Sequence, residues 1–419
     1  MLNNAASFCL IVDPYVTSHS ICDALLKQNI AAIGLVTGRV SFQSHEAHLH
    51  FDPKKFEAVF TLQEWQEEAL IAHLRQFPIN YVIAGNETSL DICDSFAKKL
   101  SPQTANDPLT SCLRMNKFAM NEALHKAGIA AVQHLEISPL ELTEEMQSTL
   151  SSWSFPLILK PSSQGGASSF VSRCGDIDDL QCKLQNMKQA NTVSSAVAQE
   201  YLTGVEYYIN TVSWQGQHVV ISVHRYHKTL FQGRPTYRYA EIVDPKTAEA
   251  VLGIDYVKHV LDTVDLRFGF AHTEIFLTSK GPYLVEVNPR LSGSHGYGNK
   301  LAHYTVGYTQ AEVLAQTLNN PNYFSHLLQS PITSLKQHGR VVYLQNWQQR
   351  IIRAPNTKIF CDLPSYKEHL FLKQSDQMAE APIDLCSTTM LMLLTHEDPA
   401  QIQQDYAYLL DCEAQELLF

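Results

Sequence analysis

The sequence is short of several things. Its apolar runs reach only five to seven residues, where an apolar helix needs roughly 18 to cross a bilayer. Nine cysteines are scattered with no C-x-x-C pair. That spacing gives neither a zinc knuckle nor a disulfide framework, and reduced thiols in a cytoplasmic protein are the expectation. Basic residues are outnumbered, 31 against 42, for a formal net charge of −11. Nonspecific binding to nucleic acid or to an anionic membrane needs the opposite balance. The start, "MLNNAASFCLIVDPY", has no basic segment, so "FCLIV" reads as a first strand rather than a signal peptide. No G-K-[ST] closes a glycine loop, so there is no Walker A motif. Internal repeats and low-complexity tracts are also missing.

What is present is an ordinary globular composition, 45% hydrophobic and 17% charged, on 419 residues. That length is too great for one core and predicts two or three domains. In the first hundred residues "FCLIVD" (8–13), "AAIGLVT" (31–37), "AVFTL" (58–62) and "YVIAG" (81–85) read as strands, with helical patterns at 18–28, 64–76 and 88–100. Such alternation predicts an open parallel sheet. The turn-rich "SPQTANDPLTS" (101–111) marks a boundary.

A helix is expected from Ser111 to Ala127, closed by Gly128. Leu113, Met120 and Leu124 would line its apolar face, and Lys117 falls on that face. The lysine either snorkels out or reaches a bound anion. Next, "LILK" reads as a strand ending at Lys160 and stopped by Pro161. The small residues of "SSQGGASS" can bring backbone N–H groups close to phosphate, although a plain flexible hairpin fits equally. "AVAQEYLTGVEYYINTVS" (196–213) gives a strand, a turn at Thr203-Gly204 and another strand. A helix is expected from Asp255 to about Val264, and the segment from Pro321 onward mixes helix and strand.

The most informative stretch is "FAHTEIFLTSKGPYLVEVNPR" (270–290), two alternating runs around a turn at Lys280. Folded as a hairpin, it sets Glu274 across from Glu286 and His272 across from Asn288. All four then share one face with Phe276 and Leu284, while Ile275, Val285 and Val287 point into a core. Two carboxylates roughly 5 Å apart repel by about 3 kcal/mol at an effective dielectric near 20, so a positive charge must offset them. Oxygen ligands plus an amide suit a hard cation such as Mg²⁺, with Mn²⁺ as an alternative. Pro289 carries the chain out of the sheet, so Arg290 emerges beside the metal, where a guanidinium fork meets phosphate or carboxylate oxygens.

These residues resemble the ATP-grasp superfamily of carboxylate–amine ligases. The resemblance rests on Glu274, on Glu286-x-Asn288-x-Arg290, on "LILKP" with its glycine-bearing loop, and on "QEYLTGVE" between them. Within the superfamily the chain is most similar to the L-amino acid ligases that make dipeptides. The resemblance implies an α/β chain of ATP-grasp fold. Its open parallel α/β domain would occupy residues 1–105 and its ATP-grasp domain 106–320, with a lid subdomain at about 130–198. A C-terminal α+β extension would follow over 321–419.

It also implies ATP and Mg²⁺, with small-molecule carboxylate and amine substrates of amino-acid type, and it allows a homodimer. Glu274, Glu286 and Asn288 would hold metal. Lys117 and Lys160 would contact phosphates, as would the loop of Ser162, Ser163, Gly165, Gly166, Ala167 and Ser168. Gln199, Glu200, Tyr201 and Leu202 would read adenine, Glu206 the ribose, and Phe276 would floor the base. Arg290 would steady an acyl phosphate, with Ser292 and Gly293 counted beside it as substrate contacts. Gln199 departs from the acidic residue common at its position. A ligase of nucleotide-precursor metabolism, a carboxylase of the same fold, and a non-catalytic ATP-binding regulator are the rival readings.

Two further stretches invite function. "HRYHKTLFQGRPTYRYA" (224–240) carries Arg225, Lys228, Arg234 and Arg238 without an acid. It is either a solvated basic strand pair or an acceptor site, in which Arg234 or Arg238 holds the amino-acid carboxylate and His224 or His227 takes the amine proton. "SHEAHLHF" (44–51) has three histidines but no ligand-spaced partners, and reads as a polar loop entering a strand.

Overall fold

The computed structural model describes residues 7–39, 51–163, 170–232, 234–331, 334–382 and 384–419. The first strands, β1 (Ser7–Val12), β2 (Ile30–Val36), β3 (Ala58–Thr61) and β4 (Ile79–Ala84), form a sheet of order β3-β2-β1-β4. Every pairing in it is parallel. Helices α1 (Ser18–Lys27) and α2 (Glu67–Leu74) lie between its strands, and α3 (Leu90–Leu100) follows β4. β1 shows why the run is apolar throughout. Side-chain alternation sends Cys9 and Ile11 into one core and Leu10 and Val12 into another, as expected of a strand covered on both faces.

The expected helix over Ser111–Ala127 is two helices, α4 (Cys112–Met115) and α5 (Lys117–Lys126). Asn116 breaks it. Its backbone is extended, and its side chain accepts from the N–H groups of Phe118 and Ala119, an N-cap that satisfies two orphan donors of α5. Gly128 ends the segment with φ +71°. Arg114 on α4 is fully buried, yet compensated by Asp94 at 2.8 Å and the carbonyls of Val264 and Asp265.

A second sheet of order β5-β8-β6-β7 combines β5 (His134–Ile137), β6 (Leu157–Pro161), β7 (Ser172–Cys174) and β8 (Ala196–Glu200). Helices α6 (Glu144–Ser151) and α7 (Ile177–Ala190) pack on it through Leu150, Leu180, Leu184 and Met187.

The third sheet runs β13-β12-β9-β10-β11-β14-β16-β15. Its strands are β9 (Val205–Trp214), β10 (Gln217–Phe231), β11 (Arg234–Val243), β12 (Gly269–Thr278), β13 (Gly281–Asn288), β14 (His338–Leu344), β15 (Tyr366–Phe371) and β16 (Met390–His396). The strands after residue 321 therefore continue the same sheet through β11–β14 pairing. Helix α8 (Ala248–Thr263) covers one face, burying Val257, Val260 and Leu261 against Ile209, Ile275 and Val287. Each such side chain contributes about 1.5–3 kcal/mol on leaving water. α8 starts at Ala248, earlier than the expected Asp255, because the Thr247 side chain caps it. Helices α9 (Tyr297–Thr305), α10 (Gln310–Asn319), α11 (Pro321–Gln329) and α12 (Pro399–Ala414) complete the chain. No helix among the described residues is long and apolar enough to cross a membrane.

Candidate active site

Residues 201–204 pass from β8 in the second sheet to β9 in the third, and the cleft opens where the two sheets meet. It encloses about 610 Å³. The β12–β13 register pairs His272 with Asn288 and Glu274 with Glu286, so the two carboxylates do oppose each other. Beyond that pair the register shifts between Glu274 and Ile275, and Leu284 comes opposite Ile275. This corrects the expected alternation. Leu284 turns into the core with Ile275 and Val287, whereas Val285 borders the cleft. The bulge has a use, since the Val285 carbonyl accepts from Lys160 Nζ at 3.1 Å.

Charge compensation comes from two lysines on different elements. Lys117 opens α5, and its Nζ lies 3.0 Å from Glu286 Oε2. The Asn288 amide donates to Glu286 Oε1 at 3.0 Å. Burial works against the Glu286 charge, but Lys117, Asn288 and Lys160 outweigh it and hold the carboxyl down, at about 2. Burial, with Lys117 acting in the same direction, lowers Lys160 to about 8. Glu274 Oε1 is 3.1 Å from His272 Nε2 and accepts from Tyr226 Oη at 3.4 Å. Two opposed carboxylates, one fixed in its ionised form, make a donor set that fits a divalent cation.

At the other end of the cleft Glu206 pairs with Lys228 at 2.6 Å, beneath the Tyr226 and Tyr237 rings. Burial opposes the Lys228 charge, yet Tyr237 and Glu206 keep its pKa above the ordinary lysine value. Phe276, Gln199, Glu200, Tyr201 and Leu202 border the same space. Glu200 is largely spent: its N–H bonds the Gln133 carbonyl, and its carboxylate accepts from Gln133 N. The buried Gln199 Nε2 and Ser162 Oγ have no hydrogen-bond partner among the described residues. Gln199 lines the cleft, and an unsatisfied donor there suits a polar ligand.

Arg290 leaves β13 beside the acidic pair and donates to Glu87 of the parallel-sheet domain and to the Leu291 carbonyl. Sequence reasoning missed Glu87, which is 203 residues away in the chain and carries no local signal. Gly293 lies so close that a Cβ there would sit 3.5 Å from Arg290 Nη1.

Several candidates fall elsewhere. Arg238 projects from the far face of β11, pairing with Glu413 at 2.6 Å and stacking on Trp347. It is a tie between sheet and α12, outside the cleft. His224 is fully buried, stacked on Tyr208 and bonded to Ser222 Oγ. Burial and His272 push its pKa down to about 3, which removes it as a base for an arriving amine. His227 reaches the cleft rim, but Glu241 engages it at 2.9 Å and Tyr239 stacks on it. Ser292 is buried, 3.3 Å from His272 through its hydroxyl, so it supports the histidine. Gly165, Gly166, Ala167 and Ser168, the Arg234 side chain and the histidines at 45, 48 and 50 lie outside the described residues. Ser163 is described and half-buried at the near end of that loop.

Comparison with known proteins gives a consistent picture. The ATP-grasp domain family matches residues 115–294. Dapdiamide A synthase of Enterobacter agglomerans is 23% identical over 354 residues, covering 83% of this chain and 82% of the relative. The crystal structure of an L-amino acid ligase from Bacillus licheniformis superposes with a TM-score of 0.74 at 17% identity, covering 98% of both chains. A carboxyaminoimidazole ribonucleotide synthase from Aspergillus clavatus, complexed with ATP, gives 0.67 at 15% identity, covering 99% of this chain and all of that one (100%).

Proposed function

Residues 115–294 match the ATP-grasp domain family, and on that premise we propose that the chain is an ATP-grasp ligase that joins a small-molecule carboxylate to an amine through an acyl phosphate, most simply making a dipeptide-type bond. The observation that carries this reading is the meeting of Glu274, Glu286, Lys117 and Lys160 in one cleft, with the Arg290 charge close enough to feel both carboxylates. The relatives support the amino-acid class of substrate, because one is named a dapdiamide synthase and another an L-amino acid ligase.

The residues divide the work as follows. Phe276 and the Gln199–Leu202 hinge hold the base of ATP, and Glu206 is placed for its ribose. Lys117 and Lys160 take the phosphates, which relieves the cost of burying two ammonium groups. A divalent cation held by Glu274 and Glu286, with Asn288 beside them, would neutralise charge on the transferring phosphoryl group. A substrate carboxylate oxygen attacks the γ-phosphorus, and the β–γ bridging bond breaks to release ADP. Arg290 steadies the resulting acyl phosphate. The neutral amine then attacks the acyl carbon, and inorganic phosphate leaves with the carboxylate oxygen as the nitrogen loses its proton. The fixed charges stand ready before the chemistry begins, which is what makes them effective.

A coupled ADP-release assay with pooled amino acids tests this. Amino-acid-dependent ADP formation that stops in excess EDTA supports the reading. ADP formation indifferent to every amino acid overturns the substrate class.

A further inference from the structure

A second cluster lies behind the hinge strand. Glu122 and His125, three residues apart on α5, share one helix face, and His134 of β5 comes up against them. One ligand atom from each of the three lies within 4.8 Å of the others. His134 Nε2 is 3.3 Å from Glu122 Oε1. Donors about 2.0–2.1 Å from a tetrahedral ion sit roughly 3.3 Å apart, so two of the three already have that separation. The third, His125, is exposed and can turn to join them.

The state of His134 is the independent sign of a ligand. Its side chain is 1% exposed. Its Nδ1 lies 2.9 Å from the Val132 carbonyl, which can only accept. Nδ1 therefore donates there, and Nε2 is the ring atom turned toward Glu122 and placed to act as a ligand. That nitrogen is buried and makes no hydrogen bond among the described residues, its polar neighbour being the Glu122 carboxylate at 3.3 Å. A histidine oriented through one ring nitrogen by a backbone carbonyl, with the other aimed at a carboxylate, has the support that metal-ligating imidazoles receive.

The geometry points to a binding site for a divalent transition-metal ion, Zn²⁺ by ligand type, formed by Glu122, His125 and His134. Two imidazoles and a carboxylate favour such an ion over Mg²⁺, which prefers oxygen. The site is separate from the Glu274–Glu286 pair. An ion there ties α5, which begins at Lys117, to β5, whose His134 is the register partner of Gln199. It would brace two walls of the nucleotide cleft from outside.

The test is a titration of metal-stripped full-length protein with Co²⁺, in excess Mg²⁺ to occupy the all-oxygen site, reading visible absorption. Wild type should bind one equivalent with the bands of a low-coordinate nitrogen–oxygen site, displaced by Zn²⁺. His125→Ala, at an exposed position, and Glu122→Gln should each weaken that binding by at least about ten-fold. An absent band, or titrations of both variants that overlay wild type, would overturn the proposal.

Discussion

Lys117 Nζ and Glu286 Oε2 are 3.0 Å apart, which locks the start of α5 onto the end of the hairpin before any nucleotide arrives. Glu286 is thus both the counter-charge of a lysine and half of an opposed carboxylate pair. Glu286→Gln should lower kcat for ADP formation by at least about 100-fold, in the range seen when a charge-stabilising group is lost. Near-normal turnover in that variant would remove the pair from the chemistry.

Lys160 makes the site sensitive to pH. Its folded-state pKa, about 8, lies below the ordinary lysine value, so between the two the unfolded chain binds the extra proton. Stability therefore rises with pH across that window, and the cost of burying the ammonium is fully present below it. Phosphate oxygens should restore the charge. ATP binding above about pH 8 should then take up a proton, measurable by calorimetry in two buffers of different ionisation enthalpy. The uptake should vanish in Lys160→Met.

Arg290 joins the hairpin to the parallel-sheet domain through Glu87. Arg290→Lys keeps the charge but loses the planar fork. It should reduce kcat by about 100-fold while leaving KM for ATP nearly unchanged. A matched rise in KM for ATP would place the guanidinium on the nucleotide instead.

Arg238 should behave as a structural residue. Its pair with Glu413 is nearly buried, and Glu413 also accepts from the Gln345 N–H. Arg238→Ala should cost about 3 kcal/mol, since the remaining charge stays buried. Urea unfolding would measure the loss, and KM for both substrates should stay the same.

The hairpin was legible because strand alternation is rigid. Once the turn was placed at Lys280, the pairings of Glu274 with Glu286 and His272 with Asn288 followed. The parallel sheet was legible for a different reason, its continuous apolar runs being spaced by helical patterns. Local geometry set the limit. Asn116 breaks a helix that periodicity runs straight through, and a one-residue bulge sends Leu284 to the opposite face. The basic run misled because charge balance is a property of the fold. Arg225, Lys228 and Arg238 meet Glu241, Glu206 and Glu413, the last of these 175 residues away. Nothing in the run itself says which face of β11 carries Arg238.

The most direct test of the acyl-phosphate route follows an oxygen atom. A substrate carboxylate labelled with ¹⁸O should be turned over with ATP and an amine, and the released phosphate analysed by mass spectrometry. Transfer of one labelled oxygen from carboxylate to phosphate in each turnover is the predicted result. Unlabelled phosphate, formed alongside the amide, would contradict the account.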